Sequence, residues 1–386
     1  MAELLIFEPF PVQYRAPMYQ QLADWVGDRF EVVYGAPAHL RNQIDKEFGR
    51  EVVWDTPLTE GYPNQILGNW AEQTRGRWND IHGRGLHQLI HDQKPANILI
   101  TGFNKRFDLA AYLNGLGAHV PMWLRAETQD EGMVRSPLKA LIRSAVYRML
   151  YPSFEGAFYF GELNRQHLLR HGFANRSLVR SPYSMPNPFA ELSSEYKRIA
   201  RDKLRCDLGI PSDAPVILFC GKLIAKKDPE LLLRAYNILL ERMPAAHIVF
   251  VGSGELEASL KSAVQSNTRI HFTGFVNQTA LPDYYLMADV LCLPSRRAGE
   301  TWGLVVNEAL QAGCGVVMSN AVGCAPEFGD WDRVAVVSDR EPEAYACALE
   351  ALLMKPRDFE WCSDAMERYS IAESARALAN VFFKNG

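Results

Sequence analysis

Short apolar runs alternate with helix-period segments from one end of the chain to the other, a pattern that selects parallel α/β layers. In the first half the runs predict strands at 4–7, 30–34, 98–101, 120–124 and 157–160, and helices at 17–26, 109–116, 138–150 and 163–171. Residues 181–189 then carry three prolines, so they form neither a helix nor a central strand. Beyond this break the alternation resumes, with strands expected at 215–220, 247–251, 269–273, 289–294 and 316–319. A chain of 386 residues is long enough for two domains, and the break divides it at 1–187 and 188–365. A helical tail, about 366–386, is expected to return to the first domain.

Composition narrows the functions open to this chain. With 48% hydrophobic and 22% charged residues it is globular, and a net charge of −4 argues against nucleic acid as a partner. Seven scattered cysteines without a Cys-x-x-Cys pair read as buried thiols in a reducing compartment, not as a disulfide framework or a zinc site. The first residues read as a strand, without a basic leader, and no apolar run approaches a membrane span. These features lead to the expectation of a cytoplasmic protein.

The stretch 298–313 carries the densest chemistry. Glu300 and Glu308 are separated by seven residues. Glu300 sits in a turn after an apolar run, and Glu308 lies inside a helix pattern that starts near Gly303 and stops at Gly313. A helix starting there directs free N–H groups toward an anion beside Glu300, and a carboxylate accepts hydrogen bonds from neighbouring hydroxyls of a sugar or ribose. Upstream, the strand 215–220 runs into a basic turn holding Lys222, Lys226 and Lys227. Gly252-Ser253-Gly254 follows the next strand but lacks the third glycine and the acid of a dinucleotide fingerprint. The Asp330-x-Asp332 pair lies outside any of these motifs, and no metal site is expected.

Together these residues resemble retaining GT-B glycosyltransferases of family 4. There a Glu, an aromatic-Gly-Leu and a Glu-Ala-x-x-x-Gly recur at the spacing of Glu300, Trp302, Gly303 and Glu308. Gly323 to Glu327 is similar to the family's Gly-Gly-x-x-Glu turn, although Lys222 replaces an Arg and the first loop lacks a Gly-Gly pair. The resemblance implies two Rossmann-like β/α/β domains facing a central cleft, and transfer of a sugar from a nucleoside-diphosphate sugar, with no further cofactor and no metal. Lys222 and Lys227 would hold the diphosphate, Glu300 the donor sugar and Glu308 the ribose. Thr301, Trp302, Gly303, Gly252, Gly254, Phe275 and Val276 would complete the donor site. On the acceptor side stand Gln13, Tyr14 and Arg15 after the first strand, and Arg125 and Glu127 after the strand 120–124. The implied acceptor is a glycan, a lipid-linked sugar or a small molecule in cell-surface glycoconjugate synthesis. A sugar-nucleotide epimerase and a non-catalytic nucleotide-sugar binder are the alternatives on the same fold.

Residues 135–151 form a basic amphipathic segment, with 138, 141, 142, 145, 146 and 149 on one helical face and Lys139, Arg143 and Arg148 on others. Two expectations compete: contact with the inner face of a membrane, or an apolar stripe packed into the first domain. His87 and His91 share a helix face but read as solvated.

Overall fold

The computed structural model describes residues 2–37, 43–45, 50–52, 55–67, 78–264, 267–338 and 340–383. The strands in chain order are β1 Leu4–Glu8, β2 Phe30–Tyr34, β3 Gln43–Asp45, β4 Arg50–Val52, β5 Asn64–Ile66, β6 Asn97–Ile100, β7 Met122–Leu124, β8 Gly156–Tyr159 and β9 Leu178–Arg180, then β10 Val216–Cys220, β11 His247–Val251, β12 Ile270–Gly274, β13 Val290–Leu293, β14 Gly315–Ser319 and β15 Val334–Val337.

They form two large parallel sheets, seven strands in the order β5-β2-β1-β6-β7-β8-β9 and six in the order β12-β11-β10-β13-β14-β15. β3 and β4 make a small antiparallel pair. Helices cover both faces of each sheet, which is why β1, β10, β11 and β14 are buried along their whole length and are apolar except at the end residues Glu8, His247 and Ser319. Strand order reverses between β1 and β6 in lobe one and between β10 and β13 in lobe two. At such points the loops leaving the strand C-termini diverge and open a crevice.

The described part of the tail contains the short helix Ser363–Met366 and then Ile371–Phe382, whose Ala375, Leu378 and Phe382 join the lobe-one core around Leu4, Tyr19 and Phe158. Residues 384–386 of the expected tail lie outside the described residues. The helix Leu86–Gln93 leaves His87 and His91 exposed, as read from the sequence. No helix among the described residues is long and apolar enough to cross a membrane.

The helix Pro137–Leu150 is turned the opposite way from a packed amphipathic helix. It buries no residue. Leu138, Leu141, Ile142 and Met149 are 56–71% exposed, and Val134 just before it is 78% exposed. Its polar side faces inward: Arg143 donates to Asp130, Ser144 contacts His171, and Tyr147 packs edge-on against His167. The expectation that the apolar stripe packs into lobe one is therefore overturned. Arg143 is also withdrawn from the basic face, because it is committed to Asp130.

Candidate functional site

The stretch 298–313 folds as a turn and a helix at the β10/β13 reversal. The helix spans Leu304–Gln311. It starts at Gly303, whose φ of +98° disfavours other residues and whose added Cβ would lie 2.7 Å from Val322 Cγ1. It ends in a Schellman pattern: Cys314 N–H donates to Ala309 O at 2.8 Å, and Gly313 N–H to Leu310 O at 2.8 Å. Glu300 thus stands just before the helix, and Glu308 lies within it.

Glu300 is buried and surrounded by donors. Lys227 Nζ lies 2.5 Å from Glu300 Oε2, and Ser295 Oγ donates to the same oxygen at 3.2 Å. Burial alone would raise this carboxyl, but the Lys227 and Lys226 cations outweigh it and hold the group below its ordinary range. Lys226, the third lysine of the turn, donates to Gly299 O at 2.9 Å. Lys222 is half-buried at the start of the same turn. The turn is fixed at its far end by Asp228, which caps the helix Pro229–Arg242 through the Leu231 amide and takes ion pairs from Arg296 and Arg340.

Gly252 and Gly254 sit against the backbone of this basic turn. A Cβ on Gly252 would lie 2.0 Å from Gly221 O, and one on Gly254 2.5 Å from Leu223 O. Leu223 N–H donates to Ser253 O at 3.0 Å. The two glycines therefore let adjacent strand-end loops touch.

Glu308 occupies a different environment. Tyr285 donates a short hydrogen bond to it, and burial pushes its pKa up to about 7. It lines a cavity of about 130 Å³ together with Met185, Gln278, Thr279, Tyr285 and Gln311. Phe275 and Val276 are half-buried on the same loop, separated from Gln278 by Asn277, and Val276 packs on the lobe-two core.

Trp302 is buried and joins a row of rings: Phe160 stacks on Tyr183 at 4.5 Å, and Tyr183 lies 5.0 Å from Trp302. Its Nε1 donates to Asn307 Oδ1 at 2.8 Å. Asn307 and Gln311 in turn donate to the Tyr183 and Met185 carbonyls, so the Glu308 helix is tied to the proline-rich connector. Sequence reading missed Asn307, Gln311, Tyr183, Tyr285 and Ser295. The available signal was Asn307 and Gln311, four apart on a helix that is apolar but for these two and Glu308.

Lobe one brings its candidates to the facing edge. Glu127 accepts from Tyr14 Oη at 3.0 Å and from Arg15 at 2.6 Å. Arg15 also donates to the buried Glu8 at 2.8 Å. Burial would raise Glu127, but the Arg15 charge and hydrogen bonds from Tyr183, Arg15 and Tyr14 hold it low. Gln13 is half-buried on the same loop. Arg125 points elsewhere: it lies 4.6 Å over the Phe160 ring and donates to Ser181 and Ser374, both at 3.3 Å, which pins the connector and the tail helix. Burial, then Arg15, lower its pKa.

The lobes meet through specific bonds. Gly299 N–H donates to Gly132 O at 2.6 Å, Gln129 donates to Thr301 O at 3.3 Å, and Glu327 accepts the Glu162 amide at 2.7 Å and Tyr369 Oη at 2.8 Å. Glu127, Thr301 and Trp302 line one narrow crevice between the lobes.

Among the described residues, one group has spacing fit for a metal: Asp130, His167 and His171. Asp130 already accepts from Arg143, from Arg170 at 2.9 Å and from His167 at 2.9 Å. Two guanidiniums on that carboxylate oppose a cation, and the cluster reads as the tether of the exposed helix. Asp332, of the Asp-x-Asp pair, is exposed and accepts from Lys355 at 2.9 Å.

Residues 200–369 match the family described as glycosyl transferases group 1. D-inositol 3-phosphate glycosyltransferase 2 of Catenulispora acidiphila is 32% identical over 205 residues, 49% of this chain and 47% of that protein. The chain thus spans about half the length of the curated relatives it matches. Among solved structures, a glycosyltransferase from Rickettsia africae superposes over 100% of both chains with a TM-score of 0.71 at 13% identity. Anabaena HepE, in complex with UDP-glucose, covers 98% of this chain and 95% of its own, with a TM-score of 0.62 at 17% identity. By its two facing parallel-sheet lobes the chain has the GT-B fold, and its second lobe carries the sequence pattern of group 1 glycosyl transferases.

Proposed function

We propose that the protein is a retaining, metal-independent glycosyltransferase that uses a nucleoside-diphosphate sugar. The observation that carries this reading is the Lys227–Glu300 pair at 2.5 Å, set before the helix that bears Glu308 at the lobe-two reversal. Without donor the site keeps its charges paired. With donor, Lys222 and Lys227 face the diphosphate, supported by the amides of Trp302 and Gly303. Glu300 accepts sugar hydroxyls, and Glu308 accepts the ribose hydroxyls beside the loop of Phe275 and Val276. The bond from the anomeric carbon to the diphosphate oxygen breaks, and its electron pair leaves with the diphosphate. Fixed cations stabilise that growing charge. The acceptor oxygen bonds to the same face of the sugar, and its proton passes to the leaving phosphate.

The acceptor reaches the sugar from lobe one, near Glu127, Tyr14 and Arg15. The outward apolar face of Pro137–Leu150, with Lys139 and Arg148 exposed beside it, favours work at the anionic inner face of a membrane on a lipid-linked acceptor, in cell-surface glycoconjugate synthesis.

Proton NMR of the protein with UDP-sugars and an extract of lipid-linked acceptors tests the reading. Transfer with the anomeric configuration kept, unchanged in EDTA, is the expected result. A changed sugar in donor alone would instead establish an epimerase, which needs no acceptor. An inverted product would remove the retaining assignment.

A further inference from the structure

Residues 297–301 of lobe two are bound one after another by the lobe-one segment that follows β7. Gly299 N–H donates to Gly132 O at 2.6 Å, and Met133 and Ala298 pair as an antiparallel bridge. Arg297 donates to Glu131 Oε2 at 3.0 Å and to Glu131 O at 3.3 Å. Gln129 Nε2 donates to Glu300 O at 3.4 Å and to Thr301 O at 3.3 Å. The segment 129–133 therefore runs alongside the turn that carries Glu300.

Lobe one fixes this segment from behind. Asn164 Nδ2 donates to Ala126 O at 3.1 Å and to Thr128 O at 2.6 Å. Asp130 accepts from Arg143 on the helix Pro137–Leu150, and from His167 and Arg170 on the helix Glu162–Arg170. Glu300 thus keeps its charge through Lys227 and Lys226 of lobe two, while lobe one holds the backbone that aims it.

Gln129 sits at the inner end of this seam and is 5% exposed. Carbonyls only accept, so its carboxamide turns Nε2 toward them, and Oε1 is left buried without a hydrogen-bond partner. Gly132 covers it: a Cβ there would lie 3.1 Å from Gln129 Nε2. Packing alone does not favour an amide here, because an apolar side chain of the same shape would leave no orphaned oxygen. What the amide supplies is a pair of donors to two successive carbonyls at Glu300. A group aimed at a substrate must be held to about 0.5 Å, and a misplacement of about 1 Å costs about a hundredfold in rate.

We infer that Gln129 is a positioning residue for Glu300, fixing the turn from lobe one so that the carboxylate meets the donor sugar, with the Arg297–Glu131 pair as the outer end of the same seam. This role rests on the glycosyltransfer reading above, in which Glu300 takes the sugar while Lys222, Lys227 and Glu308 take the nucleotide. Turnover then depends on the seam, and nucleotide affinity does not.

Hydrolysis of UDP-glucose, UDP-N-acetylglucosamine and GDP-mannose by the full chain, with calorimetry of UDP and GDP, tests this. Gln129→Met, which keeps the length and loses both donors, should lower kcat on the best wild-type donor about tenfold or more. Its affinity for the free nucleoside diphosphate and its radius of gyration should stay unchanged. Arg297→Glu and Glu131→Arg should each lower kcat a few fold, because the pair is exposed, and the double variant should restore it. Should the Met variant fail to fold, this charge exchange reads the same role. If the wild type binds a nucleotide but hydrolyses no donor, the split is read as the affinity that the sugar adds to the nucleotide, lost in Gln129→Met. Full kcat in a folded Gln129→Met variant, an equal loss of nucleotide affinity, or no rescue by the double variant would overturn the inference. A larger radius of gyration would overturn it too, since Gln129 would then only hold the lobes together. A wild type that binds neither UDP nor GDP would place the fault in the glycosyltransfer reading and withdraw the role of Gln129 with it.

Discussion

Glu300 and Glu308 are chemically alike in the sequence and differ in the fold. Glu300 is held ionised by Lys227 and Lys226, whereas Glu308 has only Tyr285 against its burial. Because the Glu308 pKa is raised to about 7, the stability it contributes is complete below its unfolded value and is lost as pH rises through 7. Donor binding that uses the carboxylate has the opposite slope. Affinity for UDP-glucose, read by calorimetry, should rise from about pH 6 to about pH 8, and Glu308→Gln should weaken it and flatten the slope. A slope that persists in the variant would place the titrating group elsewhere. Lys222→Ala and Lys227→Ala should each lower turnover by roughly two to three orders of magnitude, the scale for one preorganised stabiliser of developing charge. Lys226→Ala removes a hydrogen bond to Gly299 and should cost within about tenfold. Equal losses for all three would mean that the turn acts only through its overall charge.

The helix Leu304–Gln311 was legible in its boundaries, because Gly303 and Gly313 mark positions where a side chain meets positive φ or packed atoms. Gly303→Ala should therefore destabilise lobe two by about 1–3 kcal/mol in urea unfolding. An unchanged midpoint would show that Val322 and Leu293 yield to the new methyl group. The attachment of this helix to the connector was not legible, since Asn307 and Gln311 find partners more than a hundred residues away. The short edge strands β5 and β9 were missed for a related reason: three residues are too few for periodicity to register. For Pro137–Leu150 the period revealed an amphipathic helix, but nothing local states which face a protein covers. The structure places Arg143, Ser144 and Tyr147 inward, where Asp130 and two histidines outcompete the apolar stripe. Vesicle sedimentation should consequently depend more on the stripe than on charge. Leu138→Ser with Leu141→Ser and Ile142→Ser should abolish recovery with anionic vesicles, because each buried leucine is worth about 1.5–3 kcal/mol. Lys139→Ser with Arg148→Ser should only raise its salt sensitivity, at about 1 kcal/mol per charge. Equal recovery of the apolar triple variant and the wild type would remove the membrane from the account.

The two-lobed architecture followed from the alternation and from the proline-rich break. The closure of the lobes did not, because it depends on contacts such as Glu327 with Glu162 and Tyr369. Glu327→Ala should loosen that contact, increase the radius of gyration in X-ray scattering and weaken donor binding. No change in scattering would show that the Gly299–Gly132 bond and the aromatic row suffice. The proposed function rests on one cleft in which Lys222, Lys227, Glu300 and Glu308 would together take a nucleoside diphosphate. The direct measurement is the shift in unfolding temperature with UDP, GDP, ADP and dTDP for the wild type and for Lys227→Ala and Glu308→Gln. A ligand that binds only the folded state stabilises it by about 2.7 kcal/mol at a hundredfold excess over Kd. At least one nucleotide should raise the unfolding temperature clearly in the wild type, and by less in both variants. No rise with any nucleotide, or equal rises in all three proteins, would contradict this reading of the cleft.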